Sequence, residues 1–154
     1  MATAPFALPP TITDLVVQLS SNGQFTQLVR YLTEFGSEFT DALSQFTERG
    51  FTVFAPTDAA FRELPRRFRT FPLTPRCRRT MRKILQYHVV NGYFRASSLN
   101  DRTRLRTLAG KRLPVERREK NRVFVDDGVR LIQTDVRAAN GIIHVVNDVL
   151  LYWD

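Results

Sequence analysis

T-V-F-A-P-T-D-A-A-F, residues 52–61, is the stretch from which the fold of this 154-residue chain is read. Phe51, Val53 and Phe54 form a short apolar run that stops at Pro56, a residue unable to donate to a strand ladder. Thr57 offers a side-chain oxygen to an orphan amide in a first helical turn. Asp58 in that turn suits the positive end of the helix dipole, and Phe61 is the helix's first large apolar anchor. The ten residues therefore predict a strand-to-helix corner fixed by Pro56, Thr57 and Asp58.

Upstream, Thr11 and Asp14 have capping-box spacing, with Ile12, Leu15, Val16 and Leu19 recurring at helical period behind them. A break at residues 20–23 precedes a second amphipathic helix on Phe25, Leu28, Val29 and Leu32. Gly36 interrupts, and Phe39, Leu43 and Phe46 predict a third short helix ending before Gly50. Downstream, Pro65, Pro72 and Pro75 break the middle of residues 62–83 into a loop, and Thr74-Pro75 reads as N-cap and first helical position. Cys77, Met81, Ile84, Leu85 and His88 then share one face of a helix.

After His88 the period changes to that of strands. Residues 89–94 read as a tight hairpin or a strand with a turn. Hairpins are expected over 105–115, turning at Ala109-Gly110, and over 123–132, turning at Asp127-Gly128. Two last strands are expected at 142–146 and 149–152. Helices first and strands after argue for one α+β domain over residues 11–152, preceded by a flexible segment at 1–10.

Hydrophobic residues make up 43% of the chain, enough for one domain with its own core. No apolar stretch approaches the roughly 20 residues needed to span a bilayer. The first ten residues lack the pattern of a secretory signal, so an export signal would lie outside this sequence. Cys77 is the single cysteine, which rules out an internal disulfide framework. None of the six asparagines begins an N-glycosylation sequon. Net charge is +8, carried almost entirely by arginine, whose planar fork suits carboxylates, phosphates and sulfates.

The chemistry-bearing residues are few. The two histidines, His88 and His144, both sit in apolar runs and are read first as buried side chains. Cys77 and His88 are about three helical turns apart, too far for a nucleophile–base pair. No phosphate-binding loop, nucleophile elbow or zinc motif occurs, so the chain reads as non-enzymatic. Asp126-Asp127-Gly128 reads as a turn rather than a metal loop, and no metal or other cofactor is expected. Residues 62–83 carry nine basic side chains against one acid, Glu63. Arg66, Arg67, Arg69, Arg76, Arg78, Arg79 and Arg82 are its candidate polyanion patch, with plain solvation the simpler reading. An acidic polysaccharide suits this patch better than nucleic acid.

Three ordered motifs carry a resemblance over nearly the whole chain: the corner at 52–61, L-Q-Y-H-V-V at 85–90, and N-G-I-I-H-V-V-N-D-V-L at 140–150. A weaker fourth is T-L-A-G at 107–110. Together they resemble the fasciclin domain family. The resemblance implies a wedge or sandwich of β-strands with helices on one side and at one end. It also implies a non-enzymatic adhesion module, extracellular or at the cell surface, that binds a matrix or cell-surface protein or an acidic glycan. In animal members the Tyr-His region and an Asp-Ile pair before the third motif are proposed integrin contacts. Tyr87 and His88 match the first; Asp135 and Val136 stand at the second, with Val in place of Ile. A microalgal branch of the family consists of water-soluble carotenoid carriers, notably of astaxanthin. An apolar-ligand carrier is therefore the alternative reading, to which the twelve phenylalanines would contribute.

Overall fold

A computed structural model of the chain describes residues 11–12, 14, 24–35, 37–45, 47–100, 103–126 and 128–151. The expected segment at 1–10, most of the first helix, the break at 20–23, Gly36, Phe46, Asp127 and Tyr152 lie outside the described residues. At the start of that helix, Thr11 and Asp14 do exchange the bonds of a capping box: Asp14 Oδ2 accepts the Thr11 amide at 3.1 Å, and Thr11 Oγ1 accepts the Asp14 amide at 3.3 Å.

The corner forms as the sequence predicts. Strand β1 (Phe51–Pro56) ends on its proline, and the next residue, Thr57, is extended and accepts the Ala60 amide through its hydroxyl. That bond starts helix α3 (Asp58–Arg62). Asp58 does more than favour its own helix. Its carboxylate accepts the Gln27 amide at 2.8 Å and the Thr26 hydroxyl at 2.5 Å, at the first turn of helix α1 (Thr26–Glu34). Phe25, the N-cap residue of α1, has no side-chain oxygen, so the cap comes from 31 residues away.

Strand β7 (Gly141–Val146) runs parallel to β1, in register from Phe51↔Gly141 to Pro56↔Val146. Every residue of both strands is buried. Burial on both faces explains why both motifs read as near-continuous apolar runs. The two faces serve different cores. Phe51, Val53, Ala55, Ile143 and Val145 pack against the helices, including α1, α2 (Ser37–Ala42) and α5 (Pro75–Tyr87). Phe54 and Val146 point into a second core with Leu105, Leu113, Val115, Val123, Val125 and Leu131.

The remaining strands are β2 (Val89–Asn91), β3 (Arg104–Arg106), β4 (Arg112–Arg118), β5 (Arg122–Val125) and β6 (Val129–Ala138). Among the described residues the sheet has seven strands in the order β2-β1-β7-β6-β5-β4-β3. Its two edges meet: Val90 bridges Thr107, and the Leu108 amide donates to the Val89 carbonyl at 2.9 Å. The sheet thus curls almost into a barrel around the second core, with the helices against its β1–β7 side. This is the α+β wedge the sequence predicts.

Two local readings are corrected and one is decided between its alternatives. The segment between Pro65 and Pro75 is not all loop: Pro65 leads into a short helix, α4 (Arg66–Arg69), because proline's fixed φ suits a helix entry. Of the two readings of residues 89–94, the strand with a turn forms: β2 pairs antiparallel with β1, and Gly92 turns the chain away at φ 132°. No strand forms at 149–151, where the Leu150 amide donates instead to His88 Nε2 at 2.9 Å.

His88 is the C-cap of α5 and ties three segments together. Its Nδ1–H donates to the Ile84 carbonyl at 2.7 Å, its Nε2 accepts from Leu150, and its carbonyl accepts the Phe54 amide at 2.9 Å. Those partners fix a neutral ring. Burial pushes its pKa down from 6.5 to about 4, against a smaller upward pull from the Ile84 carbonyl. The unfolded chain takes up a proton near 6.5 that the folded chain refuses until about 4. Stability from this group is therefore complete above about 6.5 and falls, by about 3 kcal/mol, as pH drops through that window.

Urea midpoints compared at about pH 7 and about pH 5 check the sign. The parent loses stability on acidification and His88→Gln loses clearly less; an equal loss in both would contradict the assignment. A second variant tests the remote cap. Asp58→Ala should lower stability by about 2 kcal/mol, through the lost cap and its charge-assisted bonds. Asp58→Asn, which keeps an acceptor, should lose less than half of that, as read by thermal or urea unfolding.

Candidate functional site

Tyr87 and His88 do not form a surface. Tyr87 is 0% exposed and His88 3%. The Tyr87 hydroxyl donates to Asp126 Oδ1 at 2.9 Å across to the β5–β6 turn. Burial, and then the bond to Asp126, raise its pKa above the usual phenol range. Both side chains of the pair that the family resemblance marks as a partner contact are thus buried and spent on internal bonds. The helix face that His88 shares with Cys77, Met81, Ile84 and Leu85 was the signal for its burial.

Asp135 and Val136 are placed differently. They lie in β6 at a bulge, where the pairing with β7 shifts register between Gln133 and Val136. Asp135 is exposed and adopts φ 60°, a left-handed conformation that Asp tolerates better than most side chains. Its amide donates to His144 Nδ1 at 3.1 Å, and its Oδ1 accepts the Ala96 amide at 2.9 Å. His144 Nε2 donates to the Phe94 carbonyl at 2.8 Å. His144 is 0% exposed, and burial lowers its pKa more than the Phe94 carbonyl and Asp135 raise it. A neutral buried imidazole thus holds the bulge from inside, while the carboxylate stands outside. Val136 is half-buried and packs against the helical core, which anchors the other end of the bulge.

The candidate polyanion patch divides in two. On α5, Arg78 and Arg82 face α1 and α2, pairing with Glu34 at 3.6 Å and Glu38 at 3.2 Å. Both guanidiniums also lie over the Phe35 ring. Arg69 turns back to donate to the Leu64 carbonyl at 2.8 Å. These three serve the fold. Arg66, Arg67, Arg76 and Arg79 are exposed and form no ion pair among the described residues. Arg67 and Arg76 line a groove of about 620 Å³ with Phe68, Thr74, Cys77 and Thr80. The groove is positioned by Tyr31, which stacks on Phe61 and donates its hydroxyl to the Phe68 carbonyl at 2.6 Å.

Two further surface grooves, of about 300 and 340 Å³, border the corner. Arg62 lines both, with Asp58 in each wall. Every one of the three grooves therefore carries arginine in its lining. Among the described residues no three His, Cys, Asp or Glu side chains gather as metal ligands, and no helix is long and apolar enough to cross a membrane. Cys77 is buried, and both ring nitrogens of each histidine are engaged with backbone groups.

Sequence reading missed two positioning residues. Asn140 is buried and bonds the Ile12 amide, the Leu43 carbonyl and the Gln45 carbonyl, joining the N-terminal helices to the start of β7. Arg117 caps the turn at 96–99 through the carbonyls of Ala96 and Leu99. Nothing in local spacing marks either contact, since each spans at least 18 residues.

The fasciclin domain family model matches residues 23–152. The chain is 35% identical over 137 residues to the Synechocystis protein sll1483, covering 89% of this chain and 72% of that one. It is 30% identical to pig transforming growth factor-beta-induced protein ig-h3, of which it spans 20%. A FAS1 domain pair from the insect cell adhesion molecule fasciclin I shares the fold, with a TM-score of 0.74 at 22% identity over 93% of this chain and 51% of that one. Family model, relatives and fold agree with the ordered motifs, and this chain belongs to the fasciclin domain family.

Proposed function

We propose that this domain is a non-catalytic adhesion module, working outside the cell or at its surface, and that Asp135 is its contact with a protein partner. The observation that carries the reading is the bulge itself. An exposed aspartate at φ 60° is held through its backbone amide by a buried imidazole and through its carboxylate by the Ala96 amide. Strained backbone of this kind persists where the surroundings over-determine it, which is common at binding sites. Asp135 is exposed, and its carboxylate suits a cationic or donor-rich partner.

General support comes from the family. The structural relative described above is an insect cell adhesion molecule. The exposed arginines Arg66, Arg67, Arg76 and Arg79 add a cationic surface that suits acidic groups on a cell or matrix. Both histidines are committed to backbone bonds, which leaves neither as a ready general base.

Fibroblast attachment to wells coated with the purified domain tests this reading. Asp135→Ala should remove more than half of the attachment while circular dichroism shows a folded chain. Tyr87→Phe, which alters only a buried hydroxyl, should retain it. Attachment no better than on albumin, or equal attachment by the parent and Asp135→Ala, would refute the reading.

A further inference from the structure

The outward positions of β3, β4 and β5, with the first turn of β6, are arginine-rich in a way the fold does not need. Leu105, Leu113, Val115, Val123, Val125, Val129 and Leu131 point into the second core. The alternate positions, exposed, hold Arg104, Arg106, Arg112, Arg118, Arg122 and Arg130. Period-two alternation puts all six on one face. Register then sets Arg106 directly opposite Arg112, and Arg118 directly opposite Arg122. Like charges in directly opposed positions are unfavourable, and Cβ atoms there stand about 5 Å apart.

Little on the face relieves this. Among the described residues Glu116 is its one acidic position, and it pairs with Arg118 at 3.1 Å. Arg104, Arg106, Arg112 and Arg130 have no side-chain hydrogen bond or ion pair among the described residues. A sheet that opposes Arg106 to Arg112 with no acid paired to either breaks a local rule, and such breaks are expected at functional sites.

We propose that this outer sheet face binds a linear acidic polysaccharide bearing sulfate or carboxylate groups. The inference rests on the reading of the domain as an interaction module and assigns that module a second, separate surface. Charge complementarity selects a polyanion, and arginine forks grip sulfate and carboxylate through paired bonds. The face is an open platform rather than a pocket, so it suits a chain laid across strands spaced about 4.8 Å apart. Single-stranded nucleic acid would require aromatic platforms for its bases. The face has one aromatic ring, Phe124, half-buried and already covered by the Arg118 guanidinium at 4.0 Å. Polyanion binding also removes the repulsion between the opposed pairs, so occupancy and stability are linked.

The test compares two variants that each remove four charges. One changes Arg104, Arg106, Arg112 and Arg130 to Ser; the other changes Arg66, Arg67, Arg76 and Arg79 to Ser. Affinity for a heparin oligosaccharide is measured at several salt concentrations. The sheet variant should lose more than about tenfold in affinity and much of its salt dependence, and the helix variant less than about threefold. Arg106→Ser alone should leave the thermal midpoint unchanged or raised, because it removes a repulsion. Equal loss in both variants, or loss confined to the helix variant, would overturn the proposal. So would tighter binding of a single-stranded DNA of equal charge, abolished by the sheet variant, which would make the occupant nucleic acid. Asp135-dependent cell attachment is scored on the same proteins, so failure of the glycan face and failure of the adhesion reading are separately visible.

Discussion

A side chain at residue 141 would begin inside the backbone of β1: a Cβ there overlaps the Phe51 carbonyl, and the Ile12 side chain closes the remaining space. Only glycine lets β7 come this near, and the whole parallel pairing of β1 with β7 starts from that approach. Both cores depend on the pair. One face of it packs the helices and the other fills the curled sheet, so a shift of either strand would misplace both sets of side chains at once. The Phe51 amide bonds the Asn140 carbonyl at 3.0 Å, and the Asn140 side chain ties the same point to Ile12, Leu43 and Gln45. The meeting of residues 51 and 141 is thus where the helical and strand halves of the chain are joined.

That constraint explains how much of the fold was legible. The corner at 52–61 and the run at 140–150 are strong in sequence because they are adjacent, doubly buried strands, and their apolar continuity records it. Thr57 and Thr74 could be read as caps since each bonds an amide three residues on. Asp58 was read correctly for its own helix, but its bonds to Thr26 and Gln27 have no local signature. The strand expected at 149–152 failed for a similar reason. Its apolar pattern is real, because Val149 and Leu150 are buried, but the Leu150 amide goes to a histidine 62 residues away.

The candidate surfaces were less legible than the fold. Residues 85–90 carry family-level sequence signal for the same reason the corner does: they are packed inside. His88 and His144 are two solutions to one problem, each a neutral ring that donates to a carbonyl through one nitrogen and accepts an amide through the other. His88 holds the C-terminal segment, and His144 holds the bulge that presents Asp135. Of the seven arginines singled out between 66 and 82, Arg78 and Arg82 are engaged at the surface by acids of α1 and α2, and Arg69 by the nearby Leu64 carbonyl. The arginines on the sheet were written in plain alternation, as at Arg104-Leu105-Arg106, yet only the strand register shows that they oppose one another.

The most direct measurement of this account is the unfolding free energy of Gly141→Ala. If the close approach of β7 to β1 governs the fold, adding one methyl group should lower stability by about 3 kcal/mol, with the loss shared by the helical and strand signals in one cooperative transition. A variant as stable as the parent, or one in which the strand half unfolds while the helical half stays intact, would contradict it.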